Sequence, residues 1–134
     1  MRYKNLEHTA DLKIRSYGKN LEQVFANMAI GMYENIFDKK DVIKEKRVKH
    51  NIKIKSADTK ALLVDFLSEL VSLSDINNEV YLDYKIKIRE NELIAQVRGN
   101  KIKGLKLEIK AVTYNDLKIA QEKDLWIAEV VFDI

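Results

Sequence analysis

Few residues in this chain can do chemistry. The 134 residues include two histidines, His8 and His50, and no cysteine. Without cysteine there is no zinc-finger, iron–sulfur, disulfide-framework or cysteine-nucleophile chemistry, and a two-histidine metal site would need both histidines. His50 lies between Val48 and Ile52 on the apolar side of an alternating run, which predicts a half-buried, hydrogen-bonded imidazole. His8 sits in a polar cluster, Glu7-His8-Thr9-Ala10-Asp11, just before a strand-like segment. Thr and Asp there also serve turn backbone groups, which they do routinely. At the other end a strand pattern, Trp126 to Phe132, leads straight into Asp133-Ile134. Chain ends commonly fray; a strand reaching the last residues instead predicts that the Asp133 carboxylate and the main-chain carboxylate of Ile134 are held in place. Adjacent carboxylates repel unless a cation lies near them. A lysine would serve, and is the simpler answer; so would a hard, oxygen-preferring metal ion such as Ca²⁺ or Mg²⁺.

The remaining composition narrows the function further. The length suits one domain, residues 1–134, able to bury roughly two thirds of its unfolded surface. No apolar run has signal-peptide or membrane-spanning length, so the expectation is a soluble, cytoplasmic protein. Lys and Arg number 24 against 21 Asp and Glu, a net charge of only +3. The lysine-rich stretches (Lys39-Lys40, Lys44 to Lys49, Lys53-Lys55, Lys101-Lys103-Lys106) read as a solvated face interspersed with acids. No RNP-like aromatic segment or GXXG loop accompanies them, and the four scattered glycines form no phosphate-cradling loop.

Two segments have helical periodicity. Asn20 to about Phe37 carries Leu21, Val24, Phe25, Met28, Met32 and Ile36 at three- and four-residue spacing, with Asn20 as N-cap. Gly31 interrupts the stripe where another element could pack close. Thr59 to Leu73 carries Leu62, Leu63, Phe66, Leu67, Leu70 and Leu73, capped by Asp58. Period-two alternation predicts strands near residues 11–17, 48–55, 80–88, 93–97, 105–113, 117–120 and 125–132, with hairpin turns at Glu90-Asn91 and at Gln121 to Asp124. This order predicts an α+β two-layer sandwich, with two amphipathic helices on one face of a mostly antiparallel sheet and a Lys-rich opposite face.

With both ends in view, the sequence resembles the archeases. The resemblance is carried by His8-Thr9-Ala10-Asp11, by Gly18 with Leu21 and Phe25, and by Leu62-Leu63 through Phe66-Leu67-Ser68-Glu69-Leu70. Lys110-Ala111-Val112-Thr113-Tyr114 and the closing Asp133-Ile134 complete it. Two positions depart from the family pattern: Asn115 stands where a histidine is common, and Asn100 where an acidic residue is usual. The resemblance implies a helper protein rather than an enzyme. Archeases assist the GTP-dependent RNA ligase RtcB, which joins tRNA exon halves; they promote guanylate transfer onto the ligase's histidine, permit repeated turnover and can broaden its nucleotide use. It also implies a divalent metal, calcium with Mg²⁺ or Mn²⁺ as alternatives, held by Asp11, Asp133 and Ile134. His8, Lys110 and Thr113 are secondary candidates for orienting the carboxylates or touching the partner. On this reading the partner is the ligase, tRNA halves are met only through it, and no membrane or DNA is involved. The contrasting expectation is a basic RNA-binding module with no ligase partner.

Overall fold

Both helices begin where the sequence supplies a side-chain cap. The computed structural model describes residues 1–134, and in it the Asn20 side chain accepts from the Gln23 N–H at 2.8 Å, opening helix α1, Leu21–Ile36. Asp58 accepts from the Ala61 N–H, also at 2.8 Å, opening α2, Thr59–Asn77. Each cap satisfies one of the free first-turn donors. α2 runs four residues past the predicted end and stops at Asn78, whose left-handed backbone (φ 55°) lets its N–H reach the Ser74 carbonyl at 2.8 Å.

Strands β1 (Tyr3–Leu6) and β2 (Leu12–Gly18) precede α1; β3 (Val42–Lys55) lies between the helices; β4 (Glu79–Arg89), β5 (Glu92–Ile102), β6 (Ala111–Glu122) and β7 (Leu125–Asp133) follow α2. The α+β class holds. The strands form two antiparallel sheets, however, where the sequence suggested one: β1-β2-β7-β6 and β3-β5-β4. Both helices touch strands of both sheets, and one cluster of 27 buried residues joins them, so α1 has buried residues nearly all round. No helix is long and apolar enough to cross a membrane.

Three local departures have physical causes. β1 is short and weakly patterned, and it is fixed by Tyr3, whose ring covers Gly31 of α1. A Cβ at Gly31 would lie 2.8 Å from that ring, which is the close approach that the glycine in the helix stripe suggested. The alternating segment Leu105 to Ile109 is not a strand. Its backbone is fastened at Lys103 N–H to the Asp41 carbonyl (2.8 Å) and at Lys106 N–H to the Ile36 carbonyl (2.9 Å), and it buries Ile109 as the chain crosses between sheets. At Gly99 the β4 backbone presses so closely that a Cβ would stand 1.7 Å from the Val80 carbonyl oxygen, beside a bulge between Tyr81 and Asp83. Gly99→Ala must push two paired strands apart, and overpacking of this kind costs roughly 1–3 kcal/mol. We expect about 2–3 kcal/mol here, read as a lowered urea midpoint at unchanged m-value.

His50 meets its expectation. Its Nε2 lies 2.6 Å from Oε1 of Glu79, which also accepts from Tyr81 Oη at 2.7 Å, while Oε2 accepts from Lys101 Nζ at 3.2 Å. Glu79 is only 4% exposed. Burial pushes its carboxyl upward, but the bonds from Tyr81, His50 and Lys101 and the charge of His50 outweigh it, leaving Glu79 below the ordinary 4.5. A depressed folded value means this stabilisation is complete above the unfolded carboxyl value and is lost as pH falls through the folded one. Urea midpoints of the wild type should therefore drop between pH 5 and pH 3 more steeply than those of Glu79→Gln.

Candidate site at the strand ends

β2 and β7 pair antiparallel with Leu12 opposite Phe132. Asp11 stands in the bend immediately before β2, at the same end of the sheet as Asp133, the last residue of β7, which faces Ala111 on its other side. Residues two apart along a strand share a face, so Asp11, Lys13 and Arg15 follow one another on the outside of the four-stranded sheet, alongside Asp133, Val131 and Glu129. Pairing thus brings together two aspartates 122 positions apart in the sequence.

The approach to Asp11 is conformationally demanding. Ala10 has φ 65°, a left-handed value uncommon for a residue with a Cβ and costing of order 1 kcal/mol or more. This kink turns the chain between the end of β1 and the start of β2. Next to it His8 Nδ1 lies 3.6 Å from Asp11 Oδ2, and Nε2 lies 3.9 Å from Asp116 Oδ2. Nδ1 is buried and has no hydrogen-bond partner. His8 is therefore placed beside Asp11, as an orienting residue would be. Thr113 is bound more tightly, since its Oγ1 donates to the Val131 carbonyl at 2.9 Å and accepts from the Asn115 N–H at 3.3 Å. Lys110 contributes through its backbone, its N–H donating to the Asp133 carbonyl at 2.7 Å, while its side chain is exposed.

Asp116, Lys13, Arg15 and Glu129 escaped the sequence reading. Asp116 (φ 54°) lies in a bulge of β6 between Thr113 and Lys118, and bulges re-aim side chains. From Asp116 the charges alternate across the sheet: Lys13 Nζ is 4.0 Å from Asp116 Oδ2 and 3.8 Å from Glu129 Oε1, and Arg15 reaches Glu129 Oε2 through Nη2 and Nε, each at 2.6 Å. Hydrogen bonds to Tyr17 and to Glu129 hold the Arg15 guanidinium still more firmly protonated than usual. The period-two spacing of Lys13 and Arg15 was a visible signal; the bulge that delivers Asp116 had none. Asn115 adds only its backbone bond to Thr113. Asn100 lies on β5 of the other sheet, donating to the Ile43 and Lys44 carbonyls at 3.3 Å.

The side chains of Asp11 and Asp133 at these strand ends offer only oxygen. That chemistry suits a hard cation, which accepts carboxylates and keeps places for water or phosphate. No three His, Asp or Glu side chains converge as a closed cage, so a cation bound here would draw its further ligands from outside the side-chain set.

The structure is that of an α+β domain of two antiparallel sheets and two helices. The chain matches the Archease protein family (MTH1598/TM1083) over residues 3–134. It is 42% identical to the archease of Methanosarcina barkeri over 141 residues, spanning 98% of this chain and 95% of the relative. It is 37% identical to that of Pyrococcus abyssi, spanning 99% of both. Among solved structures it resembles protein 1598 of Methanobacterium thermoautotrophicum, with TM-score 0.75 and 29% identity over 98% of each chain. A Thermotoga maritima archease, called a possible chaperone, superposes with TM-score 0.67 at 27% identity, covering all of this chain and 98% of that one. This chain is a member of the archease family.

Proposed function

We propose that this protein is a non-catalytic activator of the RNA ligase RtcB, and that it works through a divalent cation, calcium foremost, held by Asp11, Asp133 and the main-chain carboxylate of Ile134. The observation that supports the reading is that Asp11 and Asp133 adjoin the paired residues Leu12 and Phe132 at the same end of the sheet. Like charges brought to neighbouring strand ends repel, and a cation between them offsets that repulsion. Asp11 and Asp133 would hold such an ion, which when bound would supply positive charge to phosphate oxygens during nucleotidyl transfer. The chain's own residues do the rest: Ala10 turns Asp11 into line, His8 flanks it, and Thr113 and the Lys110 N–H fix the β6–β7 edge that carries Asp133.

The alternative word attached to the Thermotoga relative, chaperone, finds less support. Holding unfolded clients calls for a contiguous apolar surface, whereas the exposed apolar side chains beyond Met1 come from five different elements: Ile76, Leu82, Ile94, Tyr114 and Leu125. Nor is there a nucleophile–base pair at the site to support independent catalysis.

The test is multiple-turnover ligation of tRNA halves by a cognate RtcB with GTP and divalent metal, with and without substoichiometric amounts of this protein. A large rise in turnover is expected. No rise from folded, metal-supplied protein would overturn the proposal.

A further inference from the structure

The outer face of the three-stranded sheet is where the chain concentrates its positive charge. Its rows, set by register, are Lys49–Arg98–Asp83, Asn51–Gln96–Lys85, Lys53–Ile94–Lys87 and Lys55–Glu92–Arg89. Seven of these twelve positions are cationic and two acidic, +5 on a protein whose total is +3, so the remainder of the molecule carries −2. None of the seven cations lies within 4 Å of a carboxylate, in contrast to Lys13 and Arg15 on the other sheet. The solvated-face reading of these lysines expected interspersed acids; folding instead sorts most acids elsewhere. At one end, bulges in β3 and β4 open a shallow cleft of about 480 Å³ lined by Arg47, Lys49, Arg98, Asp83 and Asn100.

We propose that this face docks the phosphate backbone of double-stranded RNA. Along each strand same-face side chains repeat at about 6.7 Å and strands lie about 4.8 Å apart, so the cations form a lattice spanning roughly 20 Å that can meet several phosphates. No aromatic residue lies in the four rows. Single-strand platforms depend on stacking bases against aromatics, while a duplex is met through its backbone and shape. Ile94 is the only apolar side chain in those rows, too little to anchor the face in a membrane. The contact is direct, in place of the expectation that RNA is met only through a partner. It stands apart from the strand-end aspartates, which lie on the other sheet.

Fluorescence anisotropy with a labelled RNA hairpin, the isolated protein and EDTA tests it without ligase or metal. Binding should fall in the range of about 10⁻⁴–10⁻⁶ M usual for non-specific contacts, and neutralising about four phosphates would give a log–log salt slope near −4. Lys53→Glu with Lys87→Glu should weaken binding at least tenfold and flatten the slope by about 2. Lys39→Glu with Lys40→Glu, equal in charge change but set in an exposed turn, should change it far less. Asp11→Ala and Asp133→Ala should bind RNA as well as the wild type, so the outcome is separate from that of the ligation assay. Equal losses from both lysine pairs, or equal affinity for oligo(U), would overturn the proposal. So would a Lys53/Lys87 variant that keeps RNA binding yet loses ligase stimulation, which would assign the face to an acidic protein surface.

Discussion

Asp11→Ala and Asp133→Ala are each expected to abolish stimulation of the ligase while leaving the fold intact. Both residues lie at strand ends, outside the 27-residue core, and neither side chain makes a hydrogen bond on which a neighbouring element depends. Removing one of two neighbouring carboxylates also removes a repulsion, so without divalent metal each variant should be as stable as the wild type or slightly more so. Metal reverses the comparison. A ligand bound only by the folded state stabilises it by about 2.7 kcal/mol at a hundred times its Kd. Calcium should therefore raise the wild-type Tm by several degrees and leave both variants where they were. Thermal melts with calcium and with EDTA, run beside the ligation assay, separate a lost site from a lost fold. Variants that unfold without metal would make the aspartates structural and refute the metal reading.

Glu79→Ala should be strongly destabilising. The carboxylate gathers three donors from β3, β4 and β5; deleting it strands the Tyr81 hydroxyl, which belongs to a fully buried side chain, and removes the acidic partner of Lys101. Losing one member of a buried ionic network costs roughly 3–5 kcal/mol. His50 and Lys101 retain 29% and 41% side-chain exposure, so water can take them up and about 3 kcal/mol is expected. For a domain of this size that lowers Tm by roughly 10 °C. Glu79→Gln keeps an acceptor and should lose about half as much. Ligase stimulation measured below the lowered Tm should be unchanged, since this network lies on the sheet remote from the strand-end aspartates.

The helices, their caps and most strands were legible in the order of residues, because those depend on neighbours within a turn or a pleat. Leu62 to Leu70 must bury one stripe, and Asn20 and Asp58 can cap wherever the chain turns into a helix. Asp133 stood out by its place at the end of a strand pattern, whereas Asp11 became a candidate only through the resemblance to the archeases. Tertiary structure alone decided the division into two sheets. Alternation shows which side of a strand is apolar, but leaves open which strands pair, and Leu105 to Ile109 alternates as well as any strand while its Lys106 N–H bonds the end of α1. The partners of the site, Asp116 above all, depend on a bulge that no local pattern announces. The lysines show the same limit most clearly. In sequence their charges are diluted by acids, and only the register of three strands gathers seven cations on one face, because neighbours across a sheet are chosen by pairing and not by position along the chain.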